Sequence, residues 1–268
     1  MISKGQKIIT LGPEFSYSHS LVIKKYSESK VELVNTISEV FDKVDKSKKG
    51  VVPIENVLNG SVRETFLNLQ QKRITIQKAF DYKIEHILAG QDKKFTTIIS
   101  HPQALIQCSD FLQTMRQKGV EVKETTSTSR AMQIAQEDKN IAAIGNQEAA
   151  QFYDLQTLKR QISNQNNNTT RFIEINKGKI NTSGQITSLI ISPETDRSGL
   201  LFEILAVFKI KELNLTKIES IVTGKKMNHY MFYLDIESSL EHSRMQEAIE
   251  FLQTFVKVDI LGSYDIYS

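Results

Sequence analysis

Cysteine is nearly missing from this chain of 268 residues, which contains only Cys108. A lone cysteine cannot form an internal disulfide, and a metal site built from several thiolates is excluded for the same reason. This scarcity favours a reducing compartment. Cys108 itself falls on the apolar side of a predicted helix, where we expect an inert core thiol.

Long apolar stretches are missing as well. No run approaches the length that spans a bilayer, and residues 1–12 contain neither the apolar core nor the cleavage site of a secretion signal. Together with the scarcity of cysteine, these absences predict a cytoplasmic protein without a membrane partner.

Charge of either sign is nowhere concentrated into a stripe. The chain has 34 Lys and Arg against 31 Asp and Glu, and residues 42–50 form the one dense cluster. A surface suited to nucleic acid is therefore not indicated. We interpret residues 42–50 as the solvated end of a helix, with Gly50 as its C-cap.

Short β-branched runs alternate with helical periodicity in the N-terminal part of the chain. One helix is predicted at 37–48 by apolar residues at i, i+3, i+4 and i+7, and others are predicted at 61–71 and 102–118. This rhythm is typical of βαβ units with a mainly parallel sheet. We expect an α/β domain of two lobes, with the chain crossing between them near residues 80 and 160.

The composition changes after this region. Residues 176–185 have the Gly, Ser, Asn and Lys content of a linker, and the predicted elements that follow have the order βαββαβ. That order describes a small ferredoxin-like unit. The predicted domains are residues 1–180 and 186–268.

Several strand ends carry polar side chains where α/β proteins bind ligands. After the strand "VVPIEN", Glu55 and Asn56 precede a helix whose start has the capping-box spacing of Ser61 and Glu64. A carboxylate beside an amide at the C-terminal end of a parallel strand lies where α/β proteins bind their ligands. The nearby helix N-terminus offers free N–H groups to an anion. Ordinary turn chemistry explains Glu55 and Asn56 equally well, so both interpretations stay open here.

The segment 98–112 repeats this geometry. Ser100 is predicted to cap the helix that begins at Pro102, and Gln107 falls at the edge of its buried face, where the amide can reach a cleft. His101 is interpreted as a capping or packing group, because no second metal ligand is near in sequence.

Two further segments offer hydroxyl groups. "LGPEFSYSHS" at 11–20 includes Ser16 and Ser18 but lacks both Gly-rich phosphate-binding patterns, so neither a dinucleotide nor a nucleoside triphosphate is indicated. After an asparagine-rich loop, Thr170 and Arg171 open another strand with a hydroxyl and a permanent positive charge. A small anionic ligand fits all of these segments.

In order and spacing, these segments resemble the prephenate dehydratase family. The matching stretches are "LGPE…S" at 11–18, "VPIEN…GSV.ET" at 52–65, "SHPQAL.QC" at 100–108 and "NTTRF" at 168–172. The later stretches "TSLIIS", "GLL" and "NLTKIES" resemble the ACT regulatory domain attached to that enzyme. The resemblance covers essentially the whole chain. It implies a two-lobed α/β catalytic domain, like a periplasmic binding protein, followed by a ferredoxin-like βαββαβ ACT domain.

The resemblance also implies a reaction: the decarboxylating dehydration of prephenate to phenylpyruvate in phenylalanine biosynthesis, with no metal and no other cofactor. It puts the Thr170 hydroxyl beside the departing ring oxygen, and the other implied catalytic residues are Glu55, Asn56, Ser100 and Gln107. The implied substrate-binding residues are Arg171, Ser16, Ser18 and Asn168.

For two of these residues the assignment leaves alternatives. Arg171 fits a substrate carboxylate or a structural ion pair equally well. The role of Glu55 is open, because a carboxylate sits awkwardly beside a dianion unless it is paired, hydrogen-bonded or protonated.

The resemblance further implies a phenylalanine site in the ACT domain, at Gly199, Leu200, Leu201, Asn214, Leu215, Glu219 and Ser220. The chain departs from the family pattern nearby, since Ile221 and Val222 replace an arginine and a proline associated with feedback. Phe15 and Val57 replace a glycine and a hydroxyl residue beside the catalytic site. Activity and phenylalanine control are therefore the two properties these departures bring into question.

Phe15 and Val57 motivate an alternative function, a catalytically silent sensor that binds an aromatic acid or amino acid. A two-lobed solute-binding receptor is a third candidate, but it lacks the expected signal peptide. The expected partners are prephenate, L-phenylalanine and further copies of the chain in a homodimer or homotetramer. Self-association is expected because alternating apolar residues in "HYMFYLDIE" predict a sheet face that needs a cover.

Overall fold

The computed structural model describes residues 7–27, 29–193, 195, 197–222 and 230–268. His229, the first residue of the predicted strand "HYMFYLDIE", lies outside the described residues, as do residues 1–6. The strands are β1 (Lys7–Leu11), β2 (Lys30–Val34), β3 (Lys48–Asn56), β4 (Gly60–Ser61), β5 (Thr75–Lys83), β6 (Ile87–Gly90), β7 (Thr97–Ser100), β8 (Glu121–Glu124), β9 (Ile141–Gly145), β10 (Gln156–Lys159), β11 (Thr169–Asn176), β12 (Ile186–Ser192), β13 (Leu215–Val222), β14 (Tyr230–Ile236), β15 (Lys257–Tyr264) and β16 (Ile266–Tyr267). The helices are α1 (Tyr17–Lys25), α2 (Ile37–Lys43), α3 (Arg63–Gln71), α4 (Pro102–Gln107), α5 (Ser109–Gln117), α6 (Thr128–Glu137), α7 (Gln147–Phe152), α8 (Leu200–Ile210) and α9 (Ser243–Leu252).

The chain divides into two compact units. The first consists of Met1–Thr36, Asn56–Gly60 and Tyr82–Thr170, and the second of Ile37–Glu55, Ser61–Asp81 and Arg171–Ser268. Each unit is assembled from separate stretches, so residues distant in sequence meet within it. The functional domains 1–180 and 186–268 stay a prediction.

The first unit contains a five-stranded sheet in the order β10-β6-β9-β7-β8. β7 is parallel to β8 and β9, whereas β6 is antiparallel to β9 and β10. Both faces are covered, because the adjacent residues Ala142 and Ala143 belong to different buried clusters. β1 and β2 form a further parallel pair in this unit.

The helix predicted at 102–118 is interrupted. α4 ends and α5 begins at Cys108, because the carbonyl oxygen of Gln107 accepts a hydrogen bond from the Asn164 backbone N–H at 2.8 Å instead of continuing the helix. Burial raises the pKa of the Cys108 thiol to about 12, which agrees with the inert core thiol that the sequence indicates.

The start of α4 also differs from the prediction. Its cap is His101, whose Nδ1 accepts from the Gln103 backbone N–H at 3.2 Å, as the capping interpretation of His101 requires. The prediction of Ser100 as the cap is wrong. Ser100 is fully buried, and its hydroxyl donates to the carbonyl oxygen of Ile144 at 2.7 Å.

The second unit contains β16, β5, β11 and β3 side by side in that order. The prediction of Gly50 as a helix C-cap is wrong, because α2 ends at Lys43 and Gly50 lies inside β3. A Cβ at residue 50 would come within 2.9 Å of side-chain atoms of Val40, Val44 and Ile175. Glycine is needed here for close packing of the strand against its neighbours.

The capping box predicted at the start of α3 is also wrong. The cap residue Val62 makes no side-chain hydrogen bond. Ser61 instead donates to Oε2 of Glu219 at 2.7 Å, and the Glu64 carboxylate accepts from the backbone N–H and the hydroxyl of Ser38 at 3.0 and 2.9 Å. The Ser61 hydroxyl and the Glu64 carboxylate thus form hydrogen bonds with residues of other elements and not with each other's backbone.

The C-terminal part of the second unit is an antiparallel sheet in the order β13-β14-β12-β15, with α8 and α9 in its connections. This βαββαβ arrangement confirms the predicted ferredoxin-like unit. One buried cluster joins the sheet to both helices through Leu189, Ile204, Phe208, Leu234 and Leu252.

The remaining face of this sheet holds a buried polar group. The Ser188 hydroxyl lies 2.5 Å from Oδ1 of Asp235, 2.6 Å from the Tyr264 hydroxyl and 2.9 Å from the Tyr233 hydroxyl. Burial raises the pKa of Asp235. The Tyr233 ring also packs edge-on against Phe66 of α3, with centroids 4.7 Å apart, so α3 lies on this face.

Candidate active site

Thr170 lies in β11 and is only 9% exposed. Its Oγ1 accepts a hydrogen bond from Nδ2 of Asn56 at 2.9 Å. The same amide nitrogen donates to Oδ1 of Asn168 at 2.7 Å and lies 3.2 Å from the carbonyl oxygen of Thr169. The ends of β3 and β11 therefore meet at the Asn56 amide.

The turn after β3 determines which way this amide points. Oδ1 of Asn56 accepts from the backbone N–H groups of Leu58 and Asn59 at 3.1 and 3.0 Å. A backbone N–H can only donate, so the amide oxygen faces the turn and the NH₂ group faces Thr170. Because the Thr170 oxygen is an acceptor in this bond, its own proton can be donated to another group.

The hydrogen bonds continue from Asn168 to other residues of the first unit. Nδ2 of Asn168 donates to Oε1 of Gln107 at 3.1 Å, and Nε2 of His86 lies 2.7 Å from the same oxygen. Nδ1 of His86 lies 2.8 Å from the Tyr17 hydroxyl, which is also 3.0 Å from the carbonyl oxygen of Glu85. We call Thr170, Asn56, Asn168, Gln107, His86 and Tyr17 the Thr170 network.

Protonation within the Thr170 network follows from burial and donor type. Burial lowers the pKa of His86 and raises that of Tyr17, so both side chains are neutral near pH 7. The oxygen of Gln107 can only accept, which puts the His86 proton on Nε2 and leaves Nδ1 as the acceptor for Tyr17. The hydrogen bonds among Asn56, Asn168, Gln107 and His86 thus have a defined direction, whereas the single proton of the Tyr17 hydroxyl faces two acceptors, Nδ1 of His86 and the carbonyl oxygen of Glu85.

Sequence reasoning missed His86 and gave Tyr17 no role. His86 stands immediately before the buried strand β6, and no motif surrounds it. A single histidine in that position carries no signal of its own, because its contacts with Tyr17 and Gln107 arise only in the folded chain.

Of the predicted serine ligands, Ser16 and Ser100 donate to backbone carbonyl oxygens. Ser16 caps α1 and donates to the carbonyl oxygen of Leu11 at 2.9 Å, Ser18 is buried in α1, and Ser100 donates to the backbone of β9. In the part of the chain that the structure describes, these serines form no hydrogen bond with the Thr170 network. Their roles as site residues stay predictions.

Glu55 and Arg171 belong to the second unit, and each is paired. Oε1 of Glu55 accepts from Nζ of Lys217 at 2.6 Å. Arg171 binds Asp81 through two parallel hydrogen bonds, with Nε at 2.7 Å and Nη2 at 2.9 Å from the carboxylate oxygens. These bonds raise the pKa of Arg171 further above its ordinary value. Of the two roles that the sequence left open for Arg171, the ion pair is present.

The departure at residue 15 has a backbone consequence. Phe15 has φ of 59°, in the left-handed region that favours glycine, and such a conformation costs about 1–3 kcal/mol. The ring compensates by stacking on Phe152 at 4.2 Å between centroids, and the Phe15 N–H donates to Nδ1 of His19 at 2.8 Å. Packing therefore holds a conformation that a glycine adopts without strain.

The predicted effector residues lie in two parts of the ferredoxin-like unit. Gly199, with φ of 82°, caps α8, and the next residues are Leu200, which is buried, and Leu201, which is exposed. Just before β13, the side-chain amide of Asn214 donates to Glu237 at 2.9 Å. β13 contains Leu215, Glu219 and Ser220. It ends with Ile221 and Val222, which stand where the family pattern has arginine and proline.

No helix in the described ranges is long and apolar enough to cross a membrane. Those ranges also contain no group of three or more His, Cys, Asp and Glu residues placed to hold a metal ion. What the Thr170 network offers a ligand is a hydroxyl donor held in a fixed direction by amides.

Comparison with known proteins identifies relatives over most of the chain. The family model of prephenate dehydratase matches residues 8–180. A prephenate dehydratase from Methanocaldococcus jannaschii is 37% identical in an alignment of 268 positions, gaps included, that covers 95% of this chain and 96% of that protein.

Solved structures agree with the fold. The prephenate dehydratase of Staphylococcus aureus superposes with a TM-score of 0.85 at 23% identity, covering 96% of this chain and 99% of that one. A prephenate dehydratase from Arthrobacter aurescens in complex with L-Phe also gives 0.85, at 24% identity, with coverage of 97% and 90%. These similarities confirm the predicted fold class. The family model and the relative from M. jannaschii show further that this chain belongs to the prephenate dehydratase family.

Proposed function

We propose that this chain catalyses the decarboxylating dehydration of prephenate to phenylpyruvate, a step of phenylalanine biosynthesis in the cytoplasm. The observation that carries the mechanism is the direction of the bond between Asn56 and Thr170. Because Asn56 donates into the Thr170 oxygen at 2.9 Å, the hydroxyl proton of Thr170 is directed to a second acceptor. A departing ring hydroxyl is such an acceptor.

The conversion of prephenate needs little beyond this hydroxyl donor. Loss of carbon dioxide leaves the electron pair of the broken C–C bond in the ring, and the ring expels hydroxide as it becomes aromatic. Aromatisation supplies the driving force, so the protein contributes positioning and a hydrogen bond or proton at the leaving oxygen. A single well-placed hydroxyl can provide the latter.

The other residues receive supporting roles. Asn56 orients the Thr170 hydroxyl, Asn168 accepts a hydrogen bond from Asn56, and Gln107 in turn accepts one from Asn168. We also assign Glu55, Ser16, Ser18, Ser100 and Arg171 to the site, on the basis of the family motifs that contain them. Ser16, Ser100, Glu55 and Arg171 would bind substrate while keeping the structural contacts they make now.

Incubating the purified protein with prephenate tests the proposal. We expect phenylpyruvate to accumulate, measured by its absorbance in alkali. A silent sensor would instead bind prephenate, measured by calorimetry, without forming product. The comparisons do not favour the sensor, since the relative at 37% identity is named prephenate dehydratase.

L-phenylalanine is the proposed effector, and the chain is proposed to act as a homodimer or homotetramer. The support is a similar fold solved with L-Phe and the presence of the segments 199–201 and 214–220 in the ferredoxin-like unit. Adding L-phenylalanine to the same assay tests whether it changes the rate. Sedimentation measures the mass of the assembly and so tests the proposed homodimer or homotetramer.

Substitutions at Arg171 and Asp81 separate the two roles of Arg171. If the ion pair is structural, Arg171→Ala and Asp81→Ala should each lower the free energy of unfolding by about 1.5–3 kcal/mol, since both remove a charge-assisted hydrogen-bonded pair. Arg171→Lys should be intermediate, because an ammonium cannot form both parallel bonds. Urea unfolding measures these differences.

Substrate binding by Arg171 would give another pattern. The KM for prephenate would rise in Arg171→Ala but stay near that of the unchanged protein in Asp81→Ala. Equal KM values in the two variants would remove Arg171 from the list of substrate ligands.

A further inference from the structure

We infer that Lys217, in β13 of the ferredoxin-like unit, is a positioning residue for Glu55 of the candidate active site. It holds the Glu55 carboxylate in place and offsets its negative charge when a dianionic substrate binds. The inference rests on the proposed function, in which Glu55 belongs to the site. The motif "NLTKIES" contains Lys217 but marks only the ferredoxin-like unit.

The ammonium group of Lys217 is surrounded by partners. Its Nζ lies 2.6 Å from Oε1 of Glu55 and 3.2 Å from the hydroxyl oxygen of Ser61, and it stands 5.9 Å from the centre of the Phe66 ring. The Lys217 side chain is 13% exposed and that of Glu55 is 36% exposed. The lysine is therefore the more buried member of the pair, and its position is fixed by contacts on several sides.

Charge explains why such a lysine is needed. Two like charges repel more strongly as the surroundings become less polar, so an unpaired Glu55 would oppose the binding of a dianion. A paired carboxylate keeps its hydrogen-bonding oxygen without this repulsion. Removing Lys217 would leave a partly buried carboxylate without its counter-ion, and that is costly.

Ser61 connects this pair to the predicted effector segment. Its hydroxyl donates to Oε2 of Glu219 at 2.7 Å, and its oxygen accepts from Lys217. Lys217 and Glu219 are two residues apart and therefore point to the same side of β13. Glu219 is one of the predicted effector residues, so an effector that moves Glu219 also acts on Lys217 and, through it, on Glu55.

The first test is Lys217→Met, which keeps the length of the side chain and removes its charge. We expect kcat for prephenate to fall about tenfold, the effect of one lost charge-assisted hydrogen bond. Lys217→Arg should restore most of the activity. The matched control is Lys211→Met, because Lys211 forms a similar pair with Glu247, at 2.5 Å, elsewhere in the ferredoxin-like unit. Thermal unfolding of each variant separates lost activity from lost stability.

The second test repeats Lys217→Met in a Glu55→Gln background. If Lys217 acts through Glu55, its replacement should change kcat little once the carboxylate is gone. Equal losses in both backgrounds, or an unchanged kcat in Lys217→Met, would overturn the inference while the unchanged protein still converts prephenate. If the unchanged protein forms no phenylpyruvate, the proposed function fails, and the inference fails with it.

Discussion

Thr170→Val is expected to lower kcat for prephenate by about 10²–10⁴-fold, the usual contribution of a positioned proton donor. Valine keeps the β-branched shape at the start of β11 and replaces only the hydroxyl. The loss should appear in kcat and not in KM, because the hydrogen bond to the leaving oxygen strengthens as negative charge develops there. Steady-state kinetics with prephenate measure both constants.

Two further variants serve as controls for this prediction. Thr170→Ser retains a hydroxyl that Asn56 can orient, and it should retain much of the activity. Thr169→Val changes the neighbouring residue, whose side chain points to the opposite face of β11, and should leave kcat nearly unchanged. A Thr170→Val variant as active as the unchanged protein would remove Thr170 from the chemistry.

Patterns of local origin were predictable from the sequence. The ferredoxin-like unit was found because strand and helix periodicities are local and the βαββαβ order is distinctive. The carboxyl ends of β3 and β7, where polar residues follow buried strands, and the start of β11 were predicted as ligand positions.

Features set by tertiary contacts were not predictable in this way. Gly50 resembles a helix cap until Val40 and Ile175 are seen against it, and Ser61 resembles a capping residue until Glu219 is seen beside it. The split at Cys108 depends on Asn164, far along the chain. In each case a distant group competes with the local rule, and sequence patterns contain no distances.

In the candidate site, too, local features could be predicted and tertiary contacts could not. Its residue types could be listed from the motifs, but the direction of each hydrogen bond could not. That direction depends on the backbone N–H groups of Leu58 and Asn59, which face the Asn56 oxygen and so turn its NH₂ group toward Thr170. Lys217 is a similar case, because its contact with Glu55 joins segments that no single motif spans.

Asn56→Asp is expected to lower kcat about 100-fold at neutral pH, because the reacting groups lose their orientation. Aspartate keeps an oxygen for the N–H groups of Leu58 and Asn59, so the turn after β3 retains its hydrogen bonds. The NH₂ group, however, becomes an oxygen that cannot donate. The Thr170 proton is then drawn to this carboxylate and away from the leaving oxygen.

The pH dependence of the variant distinguishes this cause from general damage to the fold. A protonated aspartic acid is again a donor, so the activity of Asn56→Asp relative to the unchanged protein should rise as the pH falls. Asn164→Asp adds the same charge at an exposed asparagine whose amide donates to Ser109, and it should show no such recovery. Urea unfolding at each pH shows whether both variants stay folded. A relative activity that is the same at every pH would mean that the donor at residue 56 does not orient Thr170, and the leaving-group mechanism would then lose the contact on which it depends.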